Sequence, residues 1–581
     1  MKLTQVRATH AAHQTFIAGV YDDLTVIGYE DGIVPGVSAC IEDLKTESDR
    51  PRVTETESIG LVLRASKCII YPQGNLTDAP NDPIREMATR HNLPITKPGD
   101  GIVIGGVPIG PAAFQQGYVR SKVDDMEKQL GDLLTVAAVD HESRSHQCLI
   151  SLIRLCLPAQ LTSILRTVPP SNTESEARRA DHLIASTIGT LIGVPLDDSG
   201  NARVSAALRR LHLSAREGGL GIHSLLDIRH RAYFGSWALV GEEVALLLSE
   251  LQLTKADCVK HAAELQPTLD ALRASPCHAP TLLAFTAADD VFSKSTEKIQ
   301  HKLMQEYHKS EAKSIRDSTT GTERAAFVSG ATPEARAFLF SFGTYSGDGS
   351  TMDNADFDIA IRLRLHLPVL KPMQCPGCHK AITEDGHHAF VCSKLQDQRT
   401  MRHTRVQDAV LSVSRNLKHQ NIRVTPNKNM DSFVKTPAGM AAKVNHRMDI
   451  EFINTNEGPT SSYVVDFKIT AVTSATQTLR SAALAAEEEK IKHYTTHYVI
   501  PQPDKRLIPW AIEAPGGAWG PRATKFARYL AEQQQLFGGL YKPAAFYRMI
   551  VVRVAVALQC MNAAAVRRLD AICQAAAPQQ G

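Results

Sequence analysis

The pattern of apolar and polar residues near the N-terminus predicts a strand, a tight turn and a second strand. Residues 15–21 are mostly apolar, the polar pair Asp22 and Asp23 follows, and the β-like pattern resumes over residues 24–28. Two short apolar runs on either side of a polar pair indicate a β-hairpin. Further short β-like runs follow among loops that are rich in Pro and Gly, so residues 1–115 are predicted to form a small α/β region.

A mainly helical pattern follows this region. Leu149, Leu152 and Ile153 are examples of apolar residues at near-helical spacing. We predict a helical region over residues 116–245 and a helical linker over residues 246–350, the last part of which is rich in Ser, Thr and Gly.

Two helix breaks and the absence of long apolar runs refine this picture. Residues 166–170 end in two prolines, and residues 218–222 contain three glycines, so both segments are expected to interrupt helices. No run reaches the length of about 18 uninterrupted apolar residues that indicates a membrane-spanning helix. The first residues do not have the pattern of a signal peptide, so we expect no membrane association.

The composition is that of an ordinary globular protein. The 581 residues suffice for about three to five domains. Hydrophobic residues make up 43% and charged residues 22%, which excludes disorder or a fibrous repeat as a description of the whole chain. The net charge is +3. Because this excess is small, any contact with nucleic acid must come from local basic patches.

A cluster of cysteines and histidines indicates a metal site. Four residues have the spacing of a zinc knuckle: Cys375, Cys378, His387 and Cys392. Thiolates and imidazole suit tetrahedral zinc, and four protein ligands make a closed, structural site. His388 is an alternative fourth ligand, His379 could compete, and a chance cluster in a loop would give the same pattern. We predict a zinc knuckle over residues 351–395.

Residues 447–453 and 463–469 have the alternating pattern of two strands that carry acidic residues. Alternate residues of a strand share a face, so Asp466 and Lys468 project together. Pairing the two strands brings Asp449 beside Asp466. Two carboxylates can hold Mg²⁺, which acidifies a water and stabilises charge on a phosphodiester, while the lysine orients the nucleophile or neutralises the phosphate. The alternative is two half-exposed strands with charged outer faces.

Basic residues are concentrated between the cysteine cluster and the first of these strands. Residues 399–428 contain one acidic residue, Asp408, among seven basic ones: Arg399, Arg402, Arg405, Arg415, Lys418, Arg423 and Lys428. A basic helix, predicted over about residues 396–417, suits a polyanionic substrate. A solvated helix face gives the same pattern.

Together these motifs resemble the C-terminal half of a non-LTR retrotransposon protein of the class that carries a restriction-like endonuclease. After the zinc knuckle the motifs follow in the order of that family: Arg402-His403, Arg447-x-Asp449, Asp466-x-Lys468, Lys490-x3-Tyr494 and Ile508-Pro509-x6-Gly516-Gly517-x2-Gly520. Met448 stands where the family has proline, a change that removes no ligand.

The resemblance implies an α/β endonuclease of the PD-(D/E)xK type over residues 396–545 and a C-terminal helix over residues 546–581. Its catalytic residues are Asp449, Asp466 and Lys468, with Mg²⁺ or Mn²⁺ bound by the two aspartates. The nucleic-acid-binding residues that the resemblance implies are Arg399, Arg402, His403, Arg405, Arg447, Lys490 and Tyr494.

The N-terminal part resembles the end of a reverse transcriptase. Residues 20–25, Val-Tyr-Asp-Asp-Leu-Thr, are similar to the polymerase motif whose two aspartates, here Asp22 and Asp23, are catalytic. Residues 60–67 are similar to the next palm motif. The α/β region is therefore interpreted as a partial palm, and residues 116–245 as a thumb-like region.

The sequence begins just before this polymerase motif, and the family's other metal-binding aspartate lies upstream of it. Because holding two metal ions requires a further carboxylate, we expect the RNA-directed DNA polymerase activity that the family implies to be absent from this chain. We therefore expect this chain to be a 5′-truncated retroelement protein.

These observations predict a multidomain protein with an α/β palm remnant, a mainly α-helical thumb and linker, a zinc knuckle and a restriction-endonuclease-like domain. The implied function is metal-dependent nicking of a DNA target, which primes reverse transcription in an intact element. The expected partners are target DNA and the element RNA, and the expected location is the nucleus. The alternative is a non-catalytic nucleic-acid-binding remnant, whereas the palm and thumb motifs disfavour an ordinary host nuclease.

Overall fold

The computed structural model is mostly helical with a small four-stranded sheet. It describes residues 16–20, 23–27, 34–35, 37–38, 68–72, 82–97, 100–140, 144–197, 200–250, 254, 258–260, 262–277, 279–341, 350–415, 417, 421–429, 447–457, 461–472, 480–497, 506–536 and 541–576.

The elements are numbered in chain order. The α-helices are α1 Pro83–His91, α2 Ala112–Ala138, α3 His146–Thr167, α4 Pro170–Ile192, α5 Ala202–His212, α6 Leu225–Glu250, α7 Leu265–Ala274, α8 Ile299–Ser318, α9 Gly321–Gly330, α10 Asn354–Leu365, α11 His388–Val391, α12 Gln396–Ser414, α13 Ser481–His497, α14 Pro521–Leu536 and α15 Pro543–Ala576. The strands are β1 Phe16–Val20, β2 Asp23–Ile27, β3 Ile102–Ile104, β4 Val107–Ile109, β5 Met373–Gln374, β6 Ala381–Ile382, β7 Ile422–Asn429, β8 Arg447–Asn454, β9 Ser462–Ala471 and β10 Leu507–Ala514.

The predicted N-terminal hairpin is present. Strand β1 pairs antiparallel with β2, and Val20 lies opposite Asp23. Asp22 and residues 60–67 lie outside the described residues, and of Asp23 only the backbone is described. The polymerase interpretation of the two aspartates therefore stays a prediction.

Both predicted helix breaks occur. Helix α3 ends at Thr167, and α4 begins at Pro170. Proline is tolerated at this position because the N–H groups of the first helical turn have no partner within the helix. The residue after α4 is Gly193, whose φ of +66° closes the helix in a left-handed conformation. Residues 218–222 lie between α5 and α6. Both predicted interruptions of the helical region are therefore confirmed.

The four-stranded sheet has the order β10-β9-β8-β7. Strand β10 runs parallel to β9, whereas the β9–β8 and β8–β7 pairs are antiparallel. Ile450 lies opposite Val465 in the β8–β9 pair. The β8–β9 pairing ends there, and the predicted pairing of the two strands is confirmed. Asp449 Oδ2 accepts a hydrogen bond from the N–H of Phe467, the residue after Asp466, so the two aspartates are close neighbours.

Helices cover both faces of this sheet, which explains why every residue of β10 is buried. On one face, Val465 and Phe467 join a hydrophobic cluster with residues of α12, α14 and α15, as the alternation predicted. On the other face, Val464 packs with Tyr494 of α13. The Phe467 and Trp510 ring centroids lie 5.4 Å apart, an aromatic contact that stabilises the fold by about 1 kcal/mol.

The same hydrophobic cluster is continuous from the helical region to the sheet. It includes Val123 of α2, Ile188 of α4 and Phe357 of α10. A separate cluster is formed around Phe234 of α6 and Leu269 of α7. Packing thus joins residues on both sides of the predicted domain boundaries, which stay predictions.

Two of the described helices are long and apolar enough, by length and composition alone, to cross a membrane: α3 and α15. The most apolar 18-residue stretch of α3 is 56% buried inside the protein, and that of α15 is 67% buried. Helices in the core of a globular protein have the same composition.

Glu334 joins the helical region to the helices that surround the sheet. Its side chain is 1% exposed and accepts hydrogen bonds from Arg480 Nη2 at 3.0 Å and from Tyr547 Oη of α15 at 3.0 Å. Thr524 of α14 lies 3.4 Å away. A buried carboxylate is stable only when it is paired in this way.

We expect Glu334→Gln to lower the free energy of unfolding by about 3 kcal/mol, because it leaves the Arg480 guanidinium without its buried counter-charge. The measurement is urea denaturation followed by circular dichroism. Glu532→Gln, at an exposed position of α14, is the matched control and should change stability little. Equal stability of the two variants would contradict the prediction.

Candidate functional site

The cysteine cluster begins in a short hairpin formed by β5 and β6. The Cys375 N–H donates to Lys380 O at 2.9 Å, and the His379 N–H donates to Cys375 O at 2.8 Å. Gly386 has a φ of +71°, and a Cβ there would lie 2.5 Å from Val369 Cγ2. Glycine is therefore required where the chain folds back toward the first two thiols.

Four side chains converge at this hairpin. Cys375 Sγ lies 3.9 Å from Cys392 Sγ, which lies 3.8 Å from Cys378 Sγ. Cys378 Sγ lies 3.3 Å from His388 Nε2. All four ligand atoms are within 4.8 Å of one another, so this cluster could hold a metal such as zinc.

The fourth member of the cluster is His388, and the prediction of His387 is therefore wrong. His388 begins α11, and the Cys392 N–H donates to His388 O at 2.9 Å. Residues four apart on a helical turn lie on the same side, so both side chains reach the cluster. His387 precedes the helix, and its N–H donates to Asp385 Oδ1 at 3.1 Å. The alternative ligand His388, which the sequence left open, is the one that the structure brings to the thiols.

Burial and backbone N–H groups set the protonation of these ligands. Burial raises the pKa of Cys392 to about 11. Burial also raises the pKa of Cys375, but the N–H groups of Cys378 and Gly377 outweigh it and hold that pKa below its ordinary value. Burial lowers the pKa of His388, which favours the neutral imidazole that a metal binds.

The second candidate site is the carboxylate pair of β8 and β9. Asp449 Oδ2 accepts a hydrogen bond from the Phe467 N–H at 2.6 Å and lies 3.0 Å from His403 Nε2. Gln407 Nε2 donates to the backbone oxygen of Asp449 at 2.8 Å. His403 and Gln407 are four residues apart on α12, so one helix face holds both the side chain and the backbone of Asp449.

His403 is a partner of Asp449, a role that the sequence analysis missed. The hydrogen bond to Asp449 raises the pKa of His403 above its ordinary value, although burial opposes this shift. The i, i+4 spacing of His403 and Gln407 is the sequence signal that could have indicated a shared partner.

Asp466 is held from the opposite side of the sheet by α13. Lys490 Nζ donates to Asp466 Oδ2 at 2.7 Å, and Tyr494 Oη donates to the same oxygen at 2.8 Å. Burial raises the pKa of Asp466; Lys490 opposes this shift and Asp449 adds to it. Tyr494 is 2% exposed, and its hydroxyl is buried against the carboxylate. This placement disfavours a contact with nucleic acid, and that assignment stays a prediction.

Lys468 shares a strand with Asp466, two residues away, and its Nζ contacts the carboxylate of Glu489. The side chain of Glu489 is 71% exposed, and that of Lys468 is 27% exposed. The hydrogen bond from Lys468 lowers the pKa of Glu489. An exposed ion pair of this kind contributes little stability, so Lys468 can exchange Glu489 for another anion.

The basic residues of α12 do not form one phosphate-binding face. Arg402 is 3% exposed, donates to Asn562 Oδ1 of α15 at 3.2 Å and lies 5.6 Å from the Phe390 ring centroid. The guanidinium of Arg402 packs inside the protein, which disfavours a contact with nucleic acid, and that assignment stays a prediction. Arg399 donates to Cys392 O at 3.0 Å and is half-exposed.

Arg405 and Arg447 are exposed, and their assignment to nucleic acid stays a prediction. Lys490 is partly exposed but is paired with Asp466. Among the described residues, the exposed positive charge near the carboxylates therefore comes from a few separate side chains and not from a continuous stripe.

The donor set of the carboxylate site suits a hard divalent cation. The protein donors described above contact a single oxygen, Oδ2, of each aspartate. The two side chains are 16% and 9% exposed, so the pair lies at the edge of the buried interior. Two carboxylates completed by waters are the ligands that Mg²⁺ prefers. The assignment of Mg²⁺ or Mn²⁺ to this pair stays a prediction.

Comparisons with protein-family models and with curated proteins find no match for this chain.

We expect His388→Ala to abolish stoichiometric zinc binding, because it removes one of four ligands. His387→Ala is the matched control and should retain about one zinc per chain, since its imidazole lies outside the cluster. The measurement is metal analysis of the purified protein by mass spectrometry. Zinc retained in the His388 variant but lost from the His387 variant would reverse the ligand assignment.

Proposed function

We propose that this protein is a metal-dependent DNA endonuclease of the restriction-like type. The observation that carries the proposal is the placement of Asp449 and Asp466 on adjacent central strands, with Lys468 on the same strand as Asp466. A mixed sheet covered by helices on both faces suits such a domain, because the covering helices leave only a small part of each carboxylate exposed.

Each residue of the site has a distinct part in this proposal. Asp449 and Asp466 would hold Mg²⁺ or Mn²⁺, which acidifies a bound water and stabilises charge on the phosphodiester. Lys468, whose present partner is the exposed Glu489, orients the nucleophile or neutralises the phosphate. His403 fixes the side chain of Asp449 through their 3.0 Å contact.

The proposed substrate is DNA, which Arg405 and Arg447 would contact through its phosphates. Both side chains are exposed on elements that also carry the site, α12 and β8. His403 is partly exposed beside them. The target DNA, the element RNA and a nuclear location follow from the resemblance to a retroelement protein, as does the role of nicking in target-primed reverse transcription.

A second candidate function is nucleic-acid binding without catalysis. The observation that favours it is the ion pair between Lys490 and Asp466, in which a protein cation already neutralises one of the two carboxylates. Met448, in place of the family's proline, also favours it.

We expect Mg²⁺- or Mn²⁺-dependent nicking of supercoiled plasmid, and Asp466→Asn should slow it about a thousandfold, because a bound metal contributes several kcal/mol to the transition state. Lys468→Ala should slow nicking about a hundredfold with little change in DNA binding. Asp408→Asn, at an exposed position of α12, is the control. Binding without nicking under either metal would leave the second candidate.

We expect Arg405→Ala to weaken DNA binding and to reduce the slope of log affinity against log salt by about 0.9, the value for one lost phosphate contact. Arg402→Ala should instead destabilise the fold, because its guanidinium is buried against Asn562 and Phe390. Fluorescence anisotropy at several salt concentrations and thermal unfolding separate the two effects. An unchanged slope for the Arg405 variant would count against the proposed surface.

A further inference from the structure

Lys490 occupies a position that a divalent cation would also need. Its Nζ lies 2.7 Å from Asp466 Oδ2, and Tyr494 Oη lies 2.8 Å from the same oxygen. The two donors are four residues apart on α13 and therefore project from one helix face. The Asp466 side chain is 9% exposed and that of Lys490 is 26% exposed, so the ammonium lies between the buried carboxylate and solvent.

The pairing of the strands creates the need for this positive charge. Asp449 precedes Ile450 and Asp466 follows Val465, the two residues of the last β8–β9 pair, so two carboxylates lie close together at the edge of the buried interior. Two nearby carboxylates repel each other when both are ionised. The Lys490 ammonium supplies one compensating charge, whereas His403 lies against the other carboxylate.

We propose that Lys490 is a built-in counter-ion that occupies the cation position at Asp466 and moves aside when a divalent metal binds. This proposal rests on the proposed function, because it concerns the same carboxylate pair. The partial exposure of Lys490 gives the ammonium a path outward, while buried Tyr494 keeps its hydrogen bond and holds Asp466 in place.

Displacement of Lys490 couples the metal to the substrate. An ammonium group that leaves Asp466 moves toward the solvent edge, where a DNA phosphate would attract it. Binding of DNA therefore strengthens binding of the metal, and by reciprocity the metal strengthens binding of DNA. Without DNA, Lys490 competes with the metal. The site therefore binds divalent cations weakly until a polyanion is present.

The test measures Mn²⁺ binding to the zinc-loaded, full-length protein by isothermal titration calorimetry at pH 8. Lys490→Met removes the charge and should lower the dissociation constant for Mn²⁺ at least about tenfold. Lys490→Gln also removes the charge but keeps a hydrogen-bond donor for Asp466, and it should lower the dissociation constant for Mn²⁺ by the same factor. It replaces the Met variant as the test if that variant fails to fold. Lys490→Arg keeps the charge and should bind Mn²⁺ as weakly as the wild type.

Lys492→Met is the matched control, since Lys492 is exposed on the same helix, and it should leave the Mn²⁺ affinity unchanged. A duplex with non-cleavable phosphorothioate linkages should tighten Mn²⁺ binding to the wild type but not to Lys490→Gln. Equal affinity of the wild type and the charge-removing variants would overturn the counter-ion role.

Asp466→Asn separates this outcome from failure of the proposed function. Mn²⁺ binding that requires Asp466 but is independent of Lys490 overturns the counter-ion alone and leaves the nuclease proposal in place. If neither the wild type nor the Lys490 variants bind Mn²⁺ at Asp466, both proposals are overturned.

Discussion

The repulsion between two carboxylates on neighbouring strands is the constraint around which the sheet region is organised. Asp449 and Asp466 meet because β8 and β9 pair in a register that buries Ile450 against Val465. Shifting that register by one residue would relieve the repulsion but would turn the apolar residues of the strand outward. The protein keeps the register and places a partner against each carboxylate instead, His403 of α12 at Asp449 and Lys490 of α13 at Asp466.

Helix α12 also connects the two candidate metal sites. Its first two turns are fixed by Arg399, which donates to the backbone oxygen of Cys392, and by Arg402, which packs between Phe390 and α15. The following residue, His403, contacts Asp449. The cysteine cluster therefore does more than stabilise a small hairpin: it anchors the helix that orients one of the carboxylates.

Local features were predictable from the sequence, whereas features that depend on tertiary contacts were not. The hairpin, the helix breaks and the pairing of Asp449 with Asp466 follow from short-range patterns of apolar residues and turns. The choice between His387 and His388 as the fourth member of the cysteine cluster depended on where α11 begins. The sequence pattern did not determine that position. Arg402 and Tyr494 look like surface residues in sequence, but distant elements bury them: Asn562 lies 160 positions from Arg402.

The part of α12 between its first residue, Gln396, and His403 constrains how the chain can change in evolution. Seven positions separate Gln396 from His403, close to two turns of α-helix. Each inserted or deleted residue in this stretch would rotate His403 by about 100° relative to the cysteine cluster. Substitutions on the exposed side of α12 leave this geometry intact, but a change of length does not. This segment should therefore tolerate divergence in composition while rejecting insertions and deletions.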